Sequence, residues 1–337
     1  MKKQNLLSVF GASAAMLVLI FDGKTAMRGA IDGIELCFQV LIPSLFPFFI
    51  LSMLLTGSLY GQSFSLLRPL VWFCGIPQGS ESLLPAGFLG GYPAGAQSVS
   101  QLYRSGRLTR EQAEKLLPLC NNAGPAFIFG VLGSMFSRKY IVWLLWLVHI
   151  LSALAAAALL PAAGGSVSTH GGEQIGITAA LERSVRAMGL VCGWVVLMRI
   201  VLAFLERWFL WLLPDVLRVA TVGILELSNG CVLLKQLPQE GLRFILASGF
   251  LSLGGICVTL QTSSVADGLR LTHYFPGKLL QCCFSILMCS LLQPLFPASQ
   301  RCDFPLPLCA IAGVLLLSAA VFIRTKNNSR IPSVHGV

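Results

Sequence analysis

The sequence predicts an all-α, polytopic integral membrane protein of about 8–10 membrane segments, some broken or re-entrant, arranged as two repeated halves. Three observations carry this. Of 337 residues, 55% are hydrophobic and 11% charged, with a mean hydropathy of +0.77, far from globular norms. Apolar runs at 34–55, 140–160, 190–205, 279–292 and 307–323 approach or exceed the roughly 20 residues a helix needs to cross hydrocarbon. A segment at 91–120 also reappears, without gaps, at 254–283.

Residues 1–25 form a leading transmembrane helix. Lys2 and Lys3 precede an apolar run at 6–21 that lacks the small-residue cleavage region of a signal peptide, so a retained helix is expected. Residues 26–161 make the first repeat. Its opening segment contains Pro43-Ser44-Leu45-Phe46-Pro47-Phe48, a proline break serving as a packing kink or a hinge.

The next segment, Gly87-Phe88-Leu89-Gly90-Gly91-Tyr92-Pro93-Ala94-Gly95-Ala96-Gln97, supports two readings. Glycines at 87, 91 and 95 fall on one helical face and permit close helix packing. Pro93 removes a backbone donor at the same place, so the helix should break; in a membrane, irregular backbone survives only inside protein or beside a wet cavity. Gly90, Gly91, Tyr92, Pro93, Gly95 and Gln97 are therefore candidate substrate-binding residues.

Thr109 and Gln112 form a capping box opening a short helix, whose Arg110, Glu111, Glu114 and Lys115 suggest an interfacial position. The helix ends at Asn121-Asn122-Ala123-Gly124-Pro125. Proline suits a first helical turn, and free amides there, with Asn121, Asn122, Gly124 and Pro125, would suit a carboxylate; a polar interhelical turn is the competing reading.

Residues 162–179 are a Gly/Ser-rich connection, and 180–325 the second repeat. Arg107-Leu108-Thr109 pairs with Arg270-Leu271-Thr272, and Lys115-Leu116-Leu117 with Lys278-Leu279-Leu280. The Asn-Asn break has no counterpart at Phe284-Ser285-Ile286. Duplicated halves around interrupted helices are common in secondary transporters.

Within an apolar helix expected at 216–234, Glu226 and Asn229 share a face, and intramembrane ionisable groups are functional candidates. Arg199 either snorkels or pairs with Glu226 or an anion; Gln261 closes the second glycine segment much as Gln97 closes the first. Thr259 has its own backbone as an alternative partner. A basic tail occupies 326–337.

Several chemistries are disfavoured. The net charge of +10 lies in short connections, as positive loops do, so nucleic acid is not an expected partner. Most cysteines lie in apolar runs, where they act as small hydrophobes, and no C-x-x-C pair accompanies the four histidines, so no metal and no cofactor are expected. Hydrolase, zincin and P-loop motifs are absent and His149 lacks a nearby carboxylate, so no catalytic residues are assigned and an enzyme is not expected.

Taken together, Pro43 to Phe48, Gly90-Gly91-Tyr92-Pro93 with Gly95, Gln101-Leu102-Tyr103, Cys120-Asn121-Asn122-Ala123-Gly124-Pro125 and Leu225-Glu226-Leu227-Ser228-Asn229-Gly230 resemble the sporulation integral membrane protein family named YlbJ, within the wider nucleoside-recognition or Gate group. The resemblance covers nearly the whole chain. It implies a multi-pass protein of the cell membrane or outer forespore membrane of a spore-forming bacterium, moving dipicolinate from mother cell toward forespore. Lipid, a small anionic substrate and other sporulation membrane proteins are the partners it implies. A structural or interaction protein of the forespore membrane, and a nucleoside or ion transporter of the Gate group, remain alternatives.

Overall fold

The computed structural model describes residues 3–59, 64–167, 176–266, 268–302, 311, 313–315 and 318. The basic tail, most of the apolar run at 307–323 and the centre of the Gly/Ser-rich connection lie outside the described residues. The described chain is helical apart from one isolated bridge between Gln78 and Ser166, which fits the all-α, polytopic membrane architecture expected.

Helix α1 (Lys3–Phe21) leads into α2 (Gly23–Leu36), whose first turn is capped by the Asp22 carboxylate accepting from the Thr25 amide. A π-helical turn, Cys37–Leu41, then joins α2 to α3 (Ile42–Leu59). Pro43 and Pro47 thus do not break this segment as expected: the widened turn before Pro43 takes up the mismatch, and 23–55 form one span of 33 residues.

Helices α4 (Arg68–Cys74), α5 (Leu83–Gly90), α6 (Ala94–Arg104), α7 (Arg110–Cys120) and α8 (Pro125–Gly130) are each too short to cross the bilayer alone. Helix α9 (Lys139–Leu159) is a full span of 21 residues, and α10 (Ile177–Trp208), with 32, is longer than its apolar run. Next come α11 (Asp215–Leu225), α12 (Leu227–Leu233), α13 (Glu240–Leu253), α14 (Gly255–Val265) and α15 (Tyr274–Leu291). Five described stretches are long and apolar enough to cross a membrane: 23–55, 139–159, 177–208, 240–265 and 274–291.

The longest helix, α10, packs along α2, and the reason is local. Gly29 and Gly33, four residues apart, bring α2 so close that an added methyl would stand 2.9 Å from the Ile200 and Val196 backbones respectively. Small residues at this spacing allow helices to approach where lipid supplies no hydrophobic drive. Large side chains left outside, such as Phe10, Ile20, Phe38, Trp72 and Phe275, face outward as a lipid-solvated protein requires.

The capping box forms as expected, with the Gln112 amide donating to Thr109 Oγ1 at 3.2 Å and the Thr109 amide donating to Gln112 Oε1 at 3.0 Å. Helix α7 exposes Arg110 and Glu111 as an interfacial helix would, but it is buried from Gln112 on, Glu114 and Lys115 included. Glu114 accepts from the Arg270 amide and the Thr272 hydroxyl, while Lys115 donates to the carbonyls of Ala157 and Leu160 at 2.6 and 2.8 Å. That ammonium supplies donors to carbonyls at the C-terminus of α9.

Candidate functional site

Four interruptions meet in the interior. The first, Gly91 to Pro93 between α5 and α6, includes a cis Tyr92–Pro93 peptide bond and a Gly91 φ of +74°. The second, 121–124, separates α7 from α8 where the Asn-Asn-Ala-Gly-Pro sequence predicts a break. The third lies at Glu226, whose extended backbone separates α11 from α12. The fourth, at Gly254 and Gly255, has φ values of +74° and +75° between α13 and α14.

These interruptions are packed in pairs. A methyl on Gly91 would stand 3.2 Å from the Gly124 amide, and one on Gly87 would stand 2.6 Å from the Cys120 Cα; Gly95 abuts the Cys120 carbonyl. The glycine stripe therefore does bring backbones together, and its partner is the other break. In the second half a methyl on Gly255 would stand 2.9 Å from the Ile224 carbonyl, just before Glu226. Tyr92 joins the pairs, its hydroxyl donating to the Leu251 carbonyl at 2.8 Å.

Where the pairs meet there is a cavity of about 40 Å³, lined by Phe49, Tyr92, Gly124, Phe127, Glu226 and Gln261 among others. This is room for a few water molecules only. Of the residues singled out from sequence, Gly90, Gly91, Tyr92, Gly124, Glu226 and Gln261 line it. Pro93 and Gly95 are buried behind the first break, Pro125 begins α8, and the half-buried Gln97 is not part of the lining.

Glu226 differs from expectation. Residues 216–234 are not one helix, so Glu226 and Asn229 do not share a helical face: Glu226 is the N-cap of α12. Its carboxylate, 1% exposed, accepts from the Ser228 amide at 3.0 Å and from the Asn229 amide and side chain at 2.6 and 2.7 Å. A carboxylate so placed satisfies the orphan donors of a helix start and suits its positive dipole end.

Arg199 is likewise elsewhere. It pairs with Asp32 on α2 and Glu206 on its own helix, both at 2.9 Å, rather than with Glu226. The close approach of α2 at Gly33 places Asp32 within its reach.

Several of the amides expected to be free around the start of α8 are engaged. The Phe127 and Ile128 amides donate to the Gly124 carbonyl, and the Ala123 amide donates to His149 Nε2 at 3.2 Å. Asn121 and Asn122 point away from the cavity lining into a buried polar network. Asn121 Nδ2 donates to Thr262 Oγ1 at 2.7 Å and to the Tyr274 hydroxyl at 3.0 Å. Asn122 Oδ1 accepts from Lys278 Nζ at 3.0 Å and Gln281 Nε2 at 2.9 Å, and its own amide donates to the Leu119 carbonyl.

Lys278, Gln281, His149, Thr262 and Tyr274 are thus residues of the site region that sequence reasoning did not assign. The available signal was a lysine inside an apolar spanning helix, an arrangement costly enough to suggest function by itself. Thr259, by contrast, bonds its own helix through the Gly255 carbonyl, as foreseen. Among the described residues, no group of three or more His, Cys, Asp or Glu side chains could hold a metal ion.

No family model and no solved structure matches the chain, so the wider nucleoside-recognition group rests on the sequence motifs alone. The chain is 26% identical to the sporulation integral membrane protein YlbJ of Bacillus subtilis (strain 168), over 83% of its own length and 81% of that protein's. This similarity bears out the resemblance carried by the motifs.

Proposed function

We propose that this membrane protein, similar to a sporulation integral membrane protein, is a transporter or facilitator of a small organic anion during endospore formation. Dipicolinate, moved from mother cell toward forespore across the cell membrane or outer forespore membrane, is the substrate this reading favours. It has no catalytic role in this reading, and other sporulation membrane proteins are candidate partners.

The observation that carries the proposal is the meeting of four interrupted helices around one small cavity. A fold needing only to be stable would keep its helices intact, because each break frees backbone groups that must find partners away from water. Here two breaks from each half are packed against each other around a space lined by a carboxylate, a phenol and an amide. Interrupted helices around a central site are the usual construction of secondary transporters.

The test is uptake. Purified protein is reconstituted into liposomes containing terbium, whose luminescence rises on binding dipicolinate. Saturable uptake above protein-free liposomes is expected, with uptake reduced in Tyr92→Ala and Glu226→Leu. Luminescence no faster than in protein-free liposomes, with correctly folded protein in the bilayer, would overturn the reading in favour of a structural protein of the envelope.

A further inference from the structure

Lys278 on α15 is 1% exposed, and among the described residues no carboxylate pairs with it. Its ammonium donates to Asn122 Oδ1 at 3.0 Å and Gln281 Oε1 at 2.9 Å. An ammonium carries three donors, and the third has no acceptor among the described residues. Buried charges are normally paired, because removing an ion from water is expensive.

The repeat supplies a control within the molecule. Lys115, its counterpart, is as deeply buried, yet it caps the end of α9 through two carbonyls. Lys278 caps no helix. It stands instead beside the second break, held by Asn122 from that break, with its nitrogen 5.4 Å from the Tyr92 ring centroid and 5.9 Å from that of Tyr274. Tyr92 in turn lines the cavity, so one aromatic ring links cavity and cation.

Glu226, the carboxylate in the lining, does not neutralise Lys278: both its oxygens are taken by donors at the start of α12. The site region therefore contains a buried amino group with no carboxylate partner among the described residues, lying over an aromatic face, a weak partner that a carboxylate outcompetes.

Resting on the transport reading above, we propose that Lys278 is the counter-charge for a carboxylate of the transported substrate, reached when Tyr92 releases the Leu251 carbonyl and swings aside. Asn122 and Gln281 position the ammonium. Tyr274, whose hydroxyl accepts from Asn121, backs it from the other side. The recognised class is an aromatic carboxylate: the acid group pairs with Lys278 and the ring takes the place of Tyr92 against it.

Calorimetric binding to the purified full chain tests this, with dipicolinate and its neutral diamide as probes. Wild type is expected to bind the dianion, and Lys278→Met to weaken it by roughly tenfold or more. Lys278→Arg should retain part of the affinity, and the diamide should bind neither form well. Lys115→Met should leave the affinity unchanged.

Should Lys278→Met fail to fold, Asn122→Asp serves: it is isosteric and sets a permanent carboxylate beside the ammonium. Its expected effect is the same loss of affinity in the folded protein, with a modest fall in stability from the lost donor to the Leu119 carbonyl. Wild-type affinity in either folded variant would overturn the assignment of Lys278 while leaving the transport reading standing. Absence of binding by the wild type, together with absence of uptake, would remove both.

Discussion

Gly91 and Gly254, matched by the internal alignment, end α5 and α13 with the same φ of +74°, and the Tyr92 hydroxyl that follows the first lies 3.3 Å from the Cβ position of the second. Residues other than glycine are disfavoured at such positive-φ positions by about 1–3 kcal/mol. Gly91→Ala and Gly254→Ala should each lower the thermal midpoint in detergent. Gly95→Ala should lower it further, because its methyl would overlap the Cys120 carbonyl, whereas those at 91 and 254 meet their nearest neighbours at 3.2 and 3.1 Å.

Glu226 is expected to show a graded response. Replacement by Gln keeps an acceptor for one of the α12 amides, whereas Leu leaves the Ser228 and Asn229 donors buried without partners. Each unsatisfied buried donor costs about 1–3 kcal/mol. Denaturation midpoints should therefore fall in the order wild type, Glu226→Gln, Glu226→Leu. Equal midpoints for the two variants would show that the carboxylate does not cap α12.

Lys115→Met removes two charge-assisted hydrogen bonds to the end of α9. A loss of about 1.5–3 kcal/mol of stability is expected, with terbium-reported uptake per folded molecule unaltered. Its repeat counterpart should behave the opposite way, losing substrate affinity more than stability.

Arg199 tests the opposite kind of claim. Its partners Asp32 and Glu206 are more than a third exposed, and the arginine side chain is 17% exposed. Pairs of this kind contribute about 1 kcal/mol or less. Arg199→Gln should lower the midpoint slightly and leave the KM of uptake unchanged; a raised KM would return Arg199 to the substrate path.

Much of the architecture was legible because membranes constrain sequence strongly. The apolar runs, the glycine segment with Pro93, the capping box at Thr109 and the Asn-Asn-Ala-Gly-Pro interruption all carry local rules that tertiary structure did not override. The break at Glu226 was not legible, since Leu225-Glu226-Leu227 contains neither glycine nor proline; the carboxylate makes the break by capping the helix after it.

Burial of Glu114 and Lys115 was hidden for a related reason. Their partners, the Arg270 amide and the carbonyls ending α9, are backbone groups remote in sequence, which leave no signature in residue types. Lys278 was visible as a repeat marker and as a lysine inside an apolar run. What distinguishes it from Lys115 is the absence of a helix end to cap, and that is a property of packing.

The small cavity between the paired breaks bears on how such a membrane keeps its contents. At about 40 Å³ it is too small for an aromatic dicarboxylate and takes a few water molecules. A cell that accumulates a solute on one side of a membrane loses that gradient through any carrier left ajar. On the transport reading, glycine backbones pressed together beside Tyr92 are expected to make the resting protein an insulator: conductance at rest should be negligible, and a passage would begin by parting these glycine seams.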